Sequence, residues 1–267
     1  MRTSARRALV PLVALTALSA GCAPPDAPAR LEDLCGFLFD NMGDEDDEAL
    51  VQGLTNLRDW LDQGDNFALT QEGYSIYELE PEAVSDLDKR DRSTADLIGA
   101  AVVNEHGHGL SKVVRALTVT DQMKVYEDNY EDYERTFDRD PGCFLDKECL
   151  SIKANTRTDS KIAGADITTF NRLEFQWVDV DGTWVMMRRN WLKTPADATV
   201  LGTDIVLEAQ YFLGVTMPWK GRTAYLIATW MDADYGILPV TEDFIKGEIV
   251  KTMRKEGEQL EEYLDGR

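Results

Sequence analysis

The chain holds two histidines, and both fall in Glu105-His106-Gly107-His108. Imidazoles at i and i+2 can share a metal ion when the backbone is extended, with Glu105 as an added oxygen ligand. Such a centre would make the chain a metal-dependent enzyme. Gly107 and Gly109 loosen the stretch, however, and no third ligand motif accompanies it. The segment therefore reads as a turn leading into a helix near Ser111, with neither a metal nor another cofactor expected. Ser111 also lacks the Gly-x-Ser-x-Gly elbow that would aim a nucleophilic hydroxyl. Acids at calcium-loop spacing occur in Asp232-Ala233-Asp234-Tyr235-Gly236 and at Asp44–Asp47. The first has Ile237 where an EF-hand needs glycine and Asp243 where it needs a bidentate glutamate. The second has no downstream ligands, and both read as solvated turns. No catalytic residue is assigned, and a non-enzymatic role is expected.

Cys22 stands apart from the other three cysteines. Arg2, Arg6 and Arg7 precede the apolar run Ala8–Leu18, which leads into Leu18-Ser19-Ala20-Gly21-Cys22. A basic start, a short apolar core and small residues before a cut site are the features of a secretory signal peptide. The run is too short to span a bilayer. Its end resembles the lipobox of bacterial lipoproteins, with Leu18 one place earlier than the commonest pattern. That resemblance implies a signal peptide over 1–21, cleavage before Cys22, palmitate or a related acyl group on that cysteine, and a place in the bacterial cell envelope. More than one acyl chain gives a lasting membrane anchor, where a single chain binds only reversibly. Residues 22–30, with Pro24, Pro25 and Pro28, form a stiff tether. Ala23 after the cysteine implies, by analogy with the family, the outer membrane of a two-membrane cell.

An exported chain meets oxidising conditions, which allow disulfides. Cys143 and Cys149 follow the turn signal Asp140-Pro141-Gly142 and can close a short loop, the pairing expected. Spacing alone leaves the partner of Cys35 open.

Composition narrows the partners. The 267 residues carry 28 Lys+Arg against 49 Asp+Glu, a net charge of −21. Loss of residues 1–21 removes three arginines and no acid, so the remainder is more acidic still. Such a field repels nucleic acid and anionic lipid heads. With 43% hydrophobic residues and six Trp, the chain can bury a large core.

Helical spacing is evident at Leu31, Leu34, Leu38 and Met42, and again at Leu50, Leu54, Leu57 and Leu61. Residues 31–110 read as mainly helical, although Phe67–Leu79 alternates like a strand. Met123, Tyr126, Tyr130, Tyr133 and Phe137 form a stripe predicted to lie on one helix. Beyond Cys149 the pattern changes to strands. Ala165–Val178 and Thr183–Leu192 flank Asp179-Val180-Asp181-Gly182, and Thr203–Met217 and Thr223–Met231 flank Pro218-Trp219-Lys220-Gly221-Arg222, both hairpin signals. At least four strands are expected between residues 149 and 231. Thr241 caps a terminal helix with Ile245, Ile249, Met253, Leu260 and Leu264 on one face.

The expected class is α+β: N-terminal helices, an antiparallel sheet and a long C-terminal helix. Over 111–267 this order resembles the START lipid-transfer family. Val185-Met186-Met187-Arg188-Arg189-Asn190-Trp191 is similar to that family's strand ending in Arg-Asp, with Asn190 in place of the acid. Trp230–Pro239 is similar to its Asp-Gly-Ile-Pro junction before the last helix. The resemblance implies a sheet gripping that helix around a site for a lipid or other hydrophobic small molecule, with 31–110 as an adjoining part of one domain or a separate one. Trp177, Met187, Tyr211, Phe212, Trp230, Ile249 and Met253 are the candidate cavity lining. The alternative is a filled core in an acidic envelope protein that binds an unknown protein partner. Cys22→Ser is expected to abolish incorporation of a palmitate analogue in growing cells, as checked by metabolic labelling against the unaltered chain.

Overall fold

The computed structural model describes residues 26–43, 46–85, 87, 94–127, 129–162, 165–200 and 203–266. The expected signal peptide, residues 22–25 of the tether including Cys22, and Asp44 and Glu45 lie outside the described residues. No helix among the described residues is long and apolar enough to cross a membrane.

Two amphipathic helices open the described chain, α1 (Leu31–Asp40) and α2 (Glu48–Asp62), and their leucine faces are buried as the spacing predicts. Next come α3 (Asn66–Gln71), β1 (Tyr74–Ile76), α4 (Pro81–Ser85), β2 (Ile98–His106) and α5 (Leu110–Thr118). After a 3-10 turn at Gln122–Lys124 come β3 (Asp132–Phe137), α6 (Pro141–Leu145), β4 (Ser151–Ile162), β5 (Ala165–Val180) and β6 (Thr183–Leu192). The chain continues through β7 (Ala196–Val200), β8 (Thr203–Trp219), β9 (Arg222–Asp234) and α7 (Glu242–Leu264). The described strands form one sheet in the order β1-β2-β9-β8-β6-β5-β4-β3, with β7 paired to β8 and every pairing antiparallel. The two hairpin signals form as expected. Asp181 and Gly182 have φ of 52° and 82°, and Lys220 and Gly221 have 48° and 78°, the left-handed pair that matches the twist of the flanking strands.

Successive strand residues point to opposite faces, and both faces are covered. α1 and α2 pack on Val178, Met187, Tyr211, Leu226 and Trp230. α5, α6 and α7 pack on the opposite side, against Phe175, Trp177, Met186, Phe212 and Ile227. The result is an α+β molecule of three layers with a core on each side of the sheet. The Thr241 hydroxyl accepts the Phe244 N–H at 3.3 Å, with Glu242 and Asp243 in the first turn of α7, both favourable at a helix start. Farther along, α7 runs close to β2. A Cβ on Gly257 would lie 2.2 Å from Cγ of Asn104, whose amide donates to the Met253 carbonyl at 3.4 Å.

Cys143 and Cys149 are bonded as expected, with Cα atoms 5.3 Å apart. Cys35 is buried in α1 without a bond, and burial pushes its thiol far up.

Three expectations are corrected. The stripe from Met123 to Phe137 is a 3-10 turn followed by β3, not one helix. Tyr133, Arg135 and Phe137 alternate on one strand face, but Arg135 breaks the apolar pattern because its guanidinium satisfies the carbonyls of Leu117 and Val119. Phe67–Leu79 is α3 followed by only three residues of strand. The stretch read as mainly helical also contributes β2, whose nine residues pair along β9. Small residues such as Gly99, Ala100 and Ala101 carry too little apolar bulk for its period to stand out.

Gly257→Ala should lower stability by about 1–3 kcal/mol through overpacking on Asn104. Gly247→Ala, on the same helix with nothing within 4 Å of the added Cβ, should instead raise it by about 0.5–1 kcal/mol. Parallel thermal melts check the opposite signs.

Candidate functional site

Alternation along β6 sends Met186 and Arg188 to the α7 side of the sheet and Met187 and Arg189 to the other. Arg188 is 6% exposed, so its charge has left water and needs partners. It donates through Nη2 to the Tyr225 hydroxyl at 2.7 Å, and its guanidinium carbon lies 4.4 Å from the centroid of the Phe212 ring. Gly214 of β8 pairs with Arg188, and a Cβ there would meet the rings of Phe212 and Tyr225 at 3.1 Å. The missing side chain leaves the space in which the arginine and tyrosine meet.

Around this pair the described protein leaves polar atoms unmatched. Nε of Arg188, the hydroxyl of buried Tyr126 and Oγ1 of Thr216 have no hydrogen-bond partner. Burial works against the Arg188 charge, but Tyr225, Tyr126 and Glu256 hold its pKa above the usual arginine value. Glu256, half-buried on α7, is raised by burial, which outweighs the pull of Arg188. Burial also pushes Tyr225 up to about 12 and raises Tyr126 and Tyr130. At neutral pH the tyrosines are donors rather than bases, and Arg188 is the charged group in their midst.

The other buried arginines make more bonds to groups of the chain than Arg188 does. Arg135 donates to the Tyr133 hydroxyl at 2.8 Å and to two carbonyls at the end of α5. Arg189 binds Glu174 through Nε and Nη2, both at 2.8 Å, and Phe39 O through Nη1 at 3.1 Å.

The histidines occupy a second corner. His106 ends β2 and is 1% exposed; its Nδ1 lies 2.8 Å from Glu261 Oε2, and Gly107 N–H donates to Glu261 Oε1 at 3.0 Å. Burial lowers the His106 pKa despite the carboxylate. Burial would raise Glu261, yet the Gly107 N–H and His106 hold it below the usual glutamate value. His108 Nε2 is 3.0 Å from Asp265 Oδ1, while Lys112 contacts both His108 Nδ1 and the Leu264 carbonyl.

The seven candidate lining residues do not share one space. Trp177, Phe212, Ile249 and Met253 are buried on the α7 side. Met187, Tyr211 and Trp230 are buried on the other side, where Phe39 meets the last two rings edge-on at 5.9 and 5.7 Å. Odd and even strand positions face opposite ways, so the second group belongs to the N-terminal core. The sequence does not single out Arg188, because both parities of Met186-Met187-Arg188-Arg189 carry methionine and arginine. Nothing local in the sequence links His106 to Glu261, 155 positions away.

No protein-family model matches the sequence, and no curated protein matches it. Among solved structures, the chain is similar to the STAR-related lipid transfer protein (fragment 25-204) from Xanthomonas axonopodis, at 12% identity over 63% of this chain and 85% of that one, with a TM-score of 0.38. A START superfamily protein from Mycobacterium smegmatis is similar at 10% identity over 62% and 97%, with a TM-score of 0.38. The di-domain ARO/CYC BexL from the BE-7585A biosynthetic pathway is similar at 10% identity over 64% and 51%, with a TM-score of 0.42.

A carboxyl whose pKa is raised on folding stabilises the native state below its unfolded value and loses that contribution as pH rises through the folded value. Glu256→Gln should therefore melt close to the unaltered protein near pH 4 and progressively above it towards pH 7. A melting series over that range checks the sign. A variant that melts lower at neutral pH would show that the pull of Arg188 prevails over burial.

Proposed function

We propose that this chain is a lipid-anchored protein of the bacterial envelope whose START-like body binds a hydrophobic ligand between the sheet and α7. The observation that carries this reading is the buried, incompletely partnered Arg188 beside the unpartnered Tyr126 hydroxyl. Leaving a buried donor unsatisfied costs about 1–3 kcal/mol, more for a charged group. A bound molecule with an acceptor group would supply the missing bonds while its apolar body packs against Phe212, Ile249 and Met253. The ligand class is thus amphipathic: apolar for most of its length, with a hydroxyl, carbonyl or acidic head. Tyrosines held protonated fit holding such a head rather than transforming it. Anchoring through Cys22 would keep the carrier at the membrane, and the acidic exterior would keep its body off anionic lipid heads.

A filled core with an interaction role is the second reading. It draws on two clefts among the described residues that lie outside the α7–sheet interior. One, of about 720 Å³, lies between the outer side of α7 and Glu72–Gly73; the other, of about 110 Å³, lies beside Met42, Gly43 and β4–β5.

Mass spectrometry of an organic extract of the purified full chain separates the two. A stoichiometric apolar molecule, diminished in both Arg188→Met and Met253→Trp, is the expected result. Met253→Trp that melts far below the unaltered protein, with no molecule extracted from either, would overturn the binding proposal, since a filled core cannot accept the indole.

A further inference from the structure

The turn after β2 and the last turn of α7 bring an imidazole and two carboxylates together far from the Arg188 cluster. The nearest nitrogen and oxygen atoms of His108, Glu261 and Asp265 all lie within 4.8 Å of one another. Glu261 and Asp265 are four residues apart, so they project from the same side of the helix end. We infer that these three side chains bind one divalent ion of the zinc type, which ties the C-terminal end of α7 to the β2–α5 turn.

Three features favour a metal over a plain ion-pair corner, and a fourth favours zinc. Zinc bonds of about 2.0–2.2 Å in a tetrahedral site place ligand atoms about 3.3–3.6 Å apart. His108 Nε2 and Asp265 Oδ1 are already 3.0 Å apart, and Glu261 offers an oxygen within 4.8 Å of both. That carboxylate is oriented by groups that do not themselves ligate: buried His106 on one oxygen and the Gly107 N–H on the other. Hydrogen-bonded carboxylates of this kind are the usual support of metal ligands. The site also sits at the negative end of the α7 dipole, where a cation is favoured. One imidazole and two carboxylates suit zinc or a similar transition ion better than magnesium, which retains waters around oxygen ligands, or calcium, which takes six to eight oxygens.

One cation at this corner is Lys112, whose ammonium touches His108 Nδ1 and the Leu264 carbonyl; Arg222 lies on the Gly107 side. A metal on Nε2 requires the proton to reside on Nδ1, so Lys112 must turn away from the ring when the ion binds. Lysine and metal therefore compete for the corner. This competition separates a metal site from a structural cluster, in which removing Lys112 could only weaken the joint.

The test uses the full chain in detergent, purified without a polyhistidine tag, stripped with chelator and titrated calorimetrically with zinc chloride. One zinc per chain is expected, with a melting temperature that rises with zinc concentration and no comparable rise with magnesium or calcium chloride. His108→Ala and Asp265→Asn should each weaken zinc binding at least tenfold, and His106→Gln, which removes the support of Glu261, by about 10–100-fold. Lys112→Met should tighten it. Asp265 is exposed at the helix end, so its variant retains the fold and isolates the ligand's effect. No stoichiometric zinc on the unaltered chain, or binding unchanged in both His108→Ala and Asp265→Asn, would overturn the assignment.

Discussion

Along β9, every residue from Thr223 to Trp230 is buried, and consecutive residues point to opposite faces of the sheet. Leu226, Ala228 and Trp230 go to one side, Tyr225 and Ile227 to the other. Burying a large apolar side chain is worth about 1.5–3 kcal/mol relative to leaving it exposed, so neither face can be left to water. An antiparallel sheet often has one wet face; here α1 and α2 occupy the side that would otherwise be wet. The N-terminal helices are therefore part of the fold. They cover Tyr211 and Trp230, whose indole N–H is itself satisfied by the Tyr77 carbonyl at 2.7 Å.

With one face sealed by α1 and α2, the remaining degree of freedom is how α7 sits on the other. Small residues set that distance. Gly257 admits Asn104 at van der Waals range, and Gly73, with a φ of 91°, admits Val250, which a Cβ would approach to 2.4 Å. Close contact at these two points fixes the helix on β2 and the β1 end of the sheet. The side chains of β6 and β8 beyond it are covered by α5, α6 and the turn at Tyr126. Arg188 projects into that seam, where helix packing and tyrosine-rich turn converge.

The parts most legible in the sequence were those governed by local physics. Two-residue turns with glycine placed both hairpins, Thr241 placed the start of α7, and leucine spacing placed α1 and α2. The Cys143–Cys149 loop was legible because its geometry is set within seven residues. What was not legible depended on partners far along the chain. β3 was hidden because Arg135 occupies an inward strand position, a polar residue made tolerable by carbonyls on α5. The cavity candidates were chosen by size, and size does not report parity; Tyr211 and Phe212 are neighbours in sequence but belong to different cores. The histidine corner needed the last turn of α7, which no pattern around His106 announces.

Donor accounting distinguishes the three buried arginines more clearly than burial does. A guanidinium has five N–H donors and cannot shed its charge. Arg189 spends its donors on Glu174 and the Phe39 carbonyl, joining α1 to β5 and β6. Arg135 spends its donors on Tyr133 and the last carbonyls of α5, where a cation also meets the negative end of the helix. Both are cross-links with three contacts each to other groups of the chain. Arg188 is as deeply buried as either, yet among the described residues Tyr225 is its one hydrogen-bond partner, and Nε has none. Burial raises the pKa of the nearby acid, Glu256, against the pull of Arg188. Substituting a methionine of similar length would relieve that cost if Arg188 served packing alone, because an apolar group there would lose no needed bond. A cation kept inside at such a cost, beside a glycine that makes room for it, marks the position where a ligand's polar end would be met.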